Sequence, residues 1–330
     1  MDKKAYKNFW VHIEHSEGKI HSVSLELCCE MRKLCDLSGD KLIAVVVGKL
    51  PAQETKKLLD CGADGILQVS GSGYERYNTE AYTNLYYVLC RKYHPSAVMI
   101  GGTVNGRDFA PRFAARLGVG CTSDATELIY NAGTGDIEFV EPAAGGKIMA
   151  VITMPVMRPQ IGTIRPGTFK YAPAGKKEQT ELLHENIDFD PSLIRTERID
   201  FTPELFDPAL DIAETDCLVC IGAGVKEESL PKYRELASLL GGKLGCTRPV
   251  ADSGLLPYKL QVGQSGVMIK TKLYIGFGVS GAVNHVTGVS ADKFIAINRD
   301  ASAAIFNYCD YGIIGDADEI CDAMLASLKT

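Results

Sequence analysis

Apolar and polar positions along the first 120 residues follow two alternating rhythms. Trp10-Val11-His12-Ile13 predicts a strand, and His21 to Asp36 an amphipathic helix. Leu42 to Val47 is an unbroken apolar, β-branched run, the mark of a strand covered on both faces. Ala52 to Cys61 predicts a helix closed by Gly62, Gly65 to Val69 a short strand, and Thr79 to Tyr93 a helix stopped by His94-Pro95. Ala97 to Ile100 is the next buried strand, with Gly101-Gly102 behind it, and Arg107 to Leu117 is helical up to Gly118. This order implies a parallel sheet with helices on both faces.

From Ala125 to Thr168 the rhythm changes to strands joined by glycine-rich turns: Glu127 to Tyr130, Ile137 to Val140, Ile148 to Thr153 and Gly162 to Arg165. Tyr171 to Glu197 is polar and carries Pro173, Gly175 and Pro191, so a domain boundary is expected there, dividing the chain into 1–198 and 199–330. Asp216 to Ile221 then restarts the strand–helix alternation. Gly222-Ala223-Gly224 is a turn, Pro231 to Leu240 a helix closed by Gly241-Gly242, and Leu273-Tyr274-Ile275 a strand. A helix is expected to begin near Gly281, followed by a strand from Lys293 to Asn298 and a last helix from Asp318 to Leu328. The fold class is α/β, in two domains, each with a mostly parallel sheet flanked by helices.

Composition narrows the function classes. Of 330 residues, 46% are hydrophobic and 23% charged, which excludes disorder over most of the chain. A net charge of −6 argues against a general binder of nucleic acid or anionic membranes. Apolar runs such as Leu42 to Val47 are too short to span a bilayer, and the start of the chain leads into no secretory signal. Eleven irregularly spaced cysteines argue against a disulfide framework and for reduced thiols in a cytoplasm. Cys217 and Cys220 form a C-x-x-C inside an apolar stretch, which reads as a core strand; no metal site is expected.

The strongest local pattern is Gly276-x-Gly278-x-x-Gly281, after an apolar strand and before an expected helix. That context suits a phosphate site, because glycines admit a pyrophosphate and a helix N-terminus offers free N–H groups. A tight turn without ligand competes with it. Ser280 adds a hydroxyl donor, and Asn298 and Asp300 stand about 20 residues on, where a strand end reaches a ribose. Gln261-Val262-Gly263-Gln264-Ser265-Gly266 places two amides and a hydroxyl between glycines, suited to a heterocycle edge or to a plain polar loop. His285 follows in the expected helix, and Arg248 supplies a cation for an anionic ring or a surface ion pair. Asn105-Gly106-Arg107-Asp108 occupies a nucleotide-pocket position in the first domain. No Walker motif, H-E-x-x-H or nucleophile elbow is present, and Arg158-Pro159-Gln160 to Arg165-Pro166-Gly167 has no evident role.

Taken together, these residues resemble the α subunit of electron transfer flavoprotein, including its FixB and electron-bifurcating branches. The likeness is carried by Leu273 to His285, Ala296-Ile297-Asn298-Arg299-Asp300, Ile305 to Asp316, Gln261 to Gly266, Thr247-Arg248, Gly106 to Leu117 and Arg158 to Gly167. It covers nearly the whole chain. It implies a Rossmann-like C-terminal domain that binds FAD, and an N-terminal domain that packs on a β subunit in a heterodimer. Electrons would pass to a flavoenzyme of the acyl-CoA dehydrogenase type, with the second domain swinging between partners. Arg248 would lie near the isoalloxazine and favour its reduced, anionic form. Ser265 would bond near N5, Gln264 and His285 would address the ring edge, and His285 would act there as a donor or cation. Thr247, Gln261, Gly263, Ser280, Gly281 and Ala282 would line the cofactor, with Asn298 and Asp316 at the ribose and adenine end. The chain departs from the family at Ala223, where an arginine is usual, and at Ala304, where a proline is usual. Two alternatives stand beside this: a structural subunit that has lost its FAD, for which Ala223 speaks, and an NAD-dependent dehydrogenase, which lacks a catalytic acid–base pair.

Overall fold

The computed structural model describes residues 3–329, apart from 75, 144–147, 174, 176–179, 197–198, 201–210 and 214. It forms two compact units, Met1–Asp200 and Phe201–Thr330. The boundary expected after Arg198 adjoins residues 197–198, which lie outside the described ones.

The first unit runs β1 (Phe9–Ile13), the small hairpin β2 (His15–Ser16) and β3 (Lys19–Ile20), α1 (Ser22–Ser38), β4 (Leu42–Val47), α2 (Ala52–Asp60), β5 (Gly65–Ser70), α3 (Thr79–Tyr93), β6 (Ala97–Gly101) and α4 (Val104–Leu117). Then come β7 (Cys121–Ala125), β8 (Glu127–Asn131), β9 (Asp136–Ala143), β10 (Ile148–Ile152), β11 (Gln160–Ile164) and β12 (Glu181–Asn186). Seven strands form one parallel sheet in the order β12-β5-β4-β1-β6-β11-β7, and β10-β9-β8 form a separate antiparallel sheet. Strand periodicity divides β1 between two cores. Phe9, Val11 and Ile13 join Leu27 and Met31 of α1, whereas Trp10 joins Tyr86, Phe109 and Phe113 of α3 and α4.

Three differences from the sequence expectation have local causes. Helix α4 starts at Val104 rather than Arg107, because the Thr103 hydroxyl accepts from the Gly106 N–H (3.0 Å) and caps it. Strand β7 was not expected, since Cys121-Thr122-Ser123-Asp124-Ala125 is polar; it is an edge strand and needs no double-sided apolar pattern. Strand β12 lies inside the polar segment assigned to the boundary. It is the opposite edge, paired in parallel with β5, and its glutamates and histidine suit an edge facing water.

The segment without evident role joins the two sheets. Buried Arg158 pairs with Asp136 of β9 and donates to the carbonyls of Met154 and Met157 (3.0 Å each). The Gln160 amide accepts from Ile137 N–H and donates to Ile137 C=O, both at 2.8 Å.

The second unit runs β13 (Cys217–Ile221), α5 (Leu230–Leu239), β14 (Lys243–Cys246), α6 (Arg248–Asp252), β15 (Ile269–Phe277), α7 (Val283–Val286), β16 (Val289–Asn298), β17 (Tyr311–Ile314) and α8 (Ala317–Leu328). All five strands are parallel, in the order β14-β13-β15-β16-β17. Numbered by appearance this is 2-1-3-4-5, so the chain reverses its direction of travel between β13 and β15. Ligands of open parallel sheets bind at such a switch point, outside the carboxyl ends of the strands. Cys217 and Cys220 are both buried within β13, and burial pushes both thiols up, Cys217 to about 11.

Candidate functional site

The carboxyl ends of four neighbouring strands converge in the second unit. β13 runs into Gly222-Ala223-Gly224, β14 into Thr247-Arg248, β15 into Gly278-Val279-Ser280-Gly281, and β16 ends at Asn298. The first and third of these turns cross in contact. Gly222 N–H donates to Phe277 C=O (2.8 Å), and a methyl group on Gly222 would overlap the Gly278 carbonyl. Gly281 has φ +85°, and a side chain there would run into the Ile305 backbone, whose N–H donates to Ser280 C=O (3.1 Å). The glycine pattern therefore serves close passage of backbones before it serves any ligand.

The helix expected from Gly281 is a correction. It is the single turn α7, because Gly288 packs on Gly263 and β16 begins at Val289. No long helix stands behind the turn to lend its dipole to a phosphate. What the turn presents is a small exposed surface, Ser280 and Ala282.

A second wall is the loop from Gln261 to Gly266. It is fastened to α7 by Gln264 N–H to Asn284 C=O (2.7 Å), and Gly263, at φ +140°, leaves no room for a Cβ, which would lie 2.7 Å from the same oxygen. Gln261 is buried and its amide donates to Ser265 Oγ (3.1 Å), while Gln264 and Ser265 are exposed. The floor carries Thr247. It is 7% exposed, and among the described residues its hydroxyl has no hydrogen-bond partner. It stands at the N-cap of α6 without using its side chain as a cap. An unpartnered buried hydroxyl is costly unless a ligand answers it. Next to it Arg248 is largely exposed, with Asp252 at 3.4 Å across one helical turn.

Three expected ligand groups are turned to the protein. His285 is 6% exposed; its Nδ1 meets Val262 C=O (3.0 Å) and its Nε2 meets the Tyr274 hydroxyl (2.7 Å). A carbonyl only accepts, so Nδ1 carries the proton and Nε2 accepts from Tyr274. Burial lowers the imidazole pKa to about 4, so at neutral pH the ring is uncharged. The expectation of a cation or free donor at His285 is thus corrected to a neutral ring in the core. Asn298 donates to Val279 C=O (2.9 Å) and accepts from Asp300 N–H (3.0 Å), bracing the glycine turn. Asp316 caps α8, accepting from the N–H groups of Asp318 (2.8 Å) and Glu319 (3.2 Å). Tyr274 and the Val262 carbonyl were not anticipated, because nothing in an apolar strand marks one tyrosine as a histidine's partner. Ala223 lies exposed in its turn, and Ala304 opens the short 3-10 turn that supports Gly281.

The pocket expected at Asn105 to Asp108 is filled by the chain. Glu14, just past β1, accepts from the Thr103 hydroxyl (2.6 Å) and the Asn105 amide (3.0 Å), and Arg107 pairs with Asp124 (2.9 Å). A carboxylate stands where a phosphate would. Among the described residues no group of three or more His, Cys, Asp or Glu side chains is placed to hold a metal ion.

The comparisons with known proteins converge on one family. Residues 9–187 match the electron transfer flavoprotein domain, and residues 211–290 match the electron transfer flavoprotein FAD-binding domain. The chain is 37% identical to protein FixB of Clostridium saccharobutylicum, over 100% of this chain and 98% of that one. It is 35% identical to the electron transfer flavoprotein subunit alpha of Thermoanaerobacterium thermosaccharolyticum, over 98% of each. It is also 32% identical to the lactate dehydrogenase (NAD(+),ferredoxin) subunit LctC of Acetobacterium woodii, over 100% of this chain and 78% of that one.

Proposed function

The chain belongs to the electron transfer flavoprotein α-subunit family, with an FAD-binding domain in its second unit, and from this premise we propose how its own residues hold the cofactor and which partners it serves. It is an electron-transfer subunit rather than a stand-alone enzyme. FAD supplies the redox chemistry, taking up and releasing electrons singly or in pairs. The residues at the carboxyl ends of β13 to β16 fit that group: a partnerless buried hydroxyl, an exposed cation, exposed amide and hydroxyl groups, and a small glycine-containing turn.

The buried, partnerless hydroxyl of Thr247 is the observation that carries the proposal, in which it answers a cofactor acceptor. Arg248 sets a positive charge where negative charge accumulates on reduction, which favours the reduced form. Gln264 and Ser265 bond the ring edge, and Ser280, Gly281 and Ala282 admit the pyrophosphate. Gln261, Gly263, His285, Asn298 and Asp316 act from behind, fixing the loops that carry those contacts. The FAD-binding match spans Ala223, so the absent arginine leaves the domain assignment in place. The NAD-dependent dehydrogenase alternative gains no support.

The partner is a β subunit, met by the first unit. The antiparallel sheet exposes Ile129, Ile148, Met149 and Val151, and apolar side chains exposed together suit an interaction surface. An acyl-CoA dehydrogenase-type flavoenzyme is the onward acceptor. The Acetobacterium relative's name joins NAD(+) and ferredoxin, which makes electron bifurcation within this same role a point to test. Among the described residues no helix is long and apolar enough to cross a membrane, and the eleven free cysteines suit a cytoplasmic setting.

Thr247→Val tests the site with opposite signs in two states. Without FAD the variant should be more stable than wild type by about 1 kcal/mol, because the unanswered hydroxyl is gone. With FAD its affinity should fall several-fold, up to about tenfold, the worth of one hydrogen bond. Unchanged FAD affinity in the heterodimer sinks the assignment of Thr247.

A further inference from the structure

Helices α3 and α4 pack side by side in the first unit, and the chain following β12 returns across them. Between these three segments lies a cavity of about 220 Å³. Glu80 and Thr83 of α3 form one side, Arg112 and Arg116 of α4 another, and Phe189, Leu193 and Arg195 of the returning chain the third.

Three guanidinium groups face one carboxylate, so the lining carries a surplus of two positive charges. Glu80 accepts from the Arg195 backbone N–H and Nε (2.7 Å each) and from Arg112 Nη2 (3.1 Å). Those contacts, Arg195 first, hold its carboxyl below the usual carboxylate range. Arg116 donates to Asn84 (2.9 Å) and lies over the Tyr87 ring, 4.9 Å from its centroid. Each guanidinium has five N–H donors, so these bonds occupy only part of the supply. Thr83 adds an independent sign of a missing partner. It is 3% exposed, and its hydroxyl has no hydrogen-bond partner among the described residues. Nothing in FAD binding by the second unit uses this cluster.

We propose that the cavity binds a small phosphate-type dianion, inorganic phosphate or a short phosphate ester, between Arg112, Arg116 and Arg195. Planar guanidinium forks match phosphate oxygens two by two. The cavity is smaller than the roughly 300–1,000 Å³ that encloses drug-sized ligands, which limits the ligand to a phosphate with a short organic body. Phe189 and Leu193 give such a body an apolar wall.

The test is calorimetric titration of the purified complex in phosphate-free buffer, with inorganic phosphate in one arm and phenyl phosphate in the other. Saturable binding with Kd of about 1 mM or tighter is expected. Arg112→Gln should weaken it about tenfold. Thr83→Val, which leaves every ion pair in place, should weaken it several-fold. Arg91→Gln should leave it unchanged, because Arg91 is not part of the lining. A phenyl phosphate affinity ten times that of phosphate assigns the site to an ester, and equal affinities assign it to the free ion. Lack of saturation by about 10 mM, or equal weakening by Arg91→Gln, overturns the proposal, because binding would then be absent or a matter of general charge.

Discussion

Acid should loosen the second unit through one imidazole. His285 is buried between Tyr274 and the Val262 carbonyl, and burial lowers its pKa from 6.5 to about 4. As pH falls, the unfolded chain takes up this proton at 6.5 while the folded chain refuses it until about 4. Protons therefore favour unfolding throughout that window. Each pH unit is worth about 1.4 kcal/mol, so the neutral ring contributes about 3 kcal/mol that is fully present above pH 6.5 and gone below pH 4. The assay is hydrogen exchange under urea, read on peptides covering β15 and α7, for wild type and His285→Gln at about pH 7 and about pH 5. The variant should lose about 2 kcal/mol less than wild type between those two conditions, since other acid-sensitive groups are common to both. An NMR titration of His285 checks the premise directly. A folded-state midpoint near 6.5, or identical pH dependence in the two proteins, refutes the reasoning. His12 must be read separately, because burial first and His15 second lower it to about 3 in the other unit.

Three further outcomes follow from the geometry. Gly281→Ala forces a side chain into φ +85° and onto the Ile305 backbone, and should cost at least about 2 kcal/mol in urea unfolding of the second unit. Arg158→Met leaves buried Asp136 with Lys3 at 2.8 Å as its remaining cation, and should destabilise the first unit by about 3 kcal/mol, seen as a lower urea midpoint. Val151→Glu, on an exposed position of β10, should change stability by no more than about 0.5 kcal/mol yet weaken β-subunit association at least tenfold in analytical ultracentrifugation.

Elements buried on both faces were legible because burial forces an unbroken apolar run, as at Leu42–Val47 and Ala97–Gly101. Edges were not. Cys121–Ala125 and Glu181–Asn186 are strands by virtue of their neighbours, and their own residues are chosen for water. The chemistry shows the same division. Gln264, Ser265 and Ser280 were legible as polar groups between or beside glycines, and Arg248 as a candidate cation, whereas Thr247 was marked only by the family resemblance. The states of His285, Asn298 and Asp316 could not. Each is settled by a partner 2 to 23 residues away, Tyr274 and Val262 for the histidine, Val279 and Asp300 for the asparagine, Asp318 and Glu319 for the aspartate. The length of α7 was also invisible, because the contact of Gly288 with Gly263 that ends it joins two distant loops.

The central claim is that FAD lies across the carboxyl ends of β13 to β16, over Thr247 and beside Arg248. Hydrogen-exchange mass spectrometry of the heterodimer, FAD-loaded against FAD-depleted, tests this most directly. The account predicts slowed exchange in residues 222–224, 247–250, 261–266 and 278–284, with none around Thr103 and Asn105, where Glu14 already occupies the strand end. Protection centred on residues 101–108, or no difference in the four segments of the second unit, would contradict it.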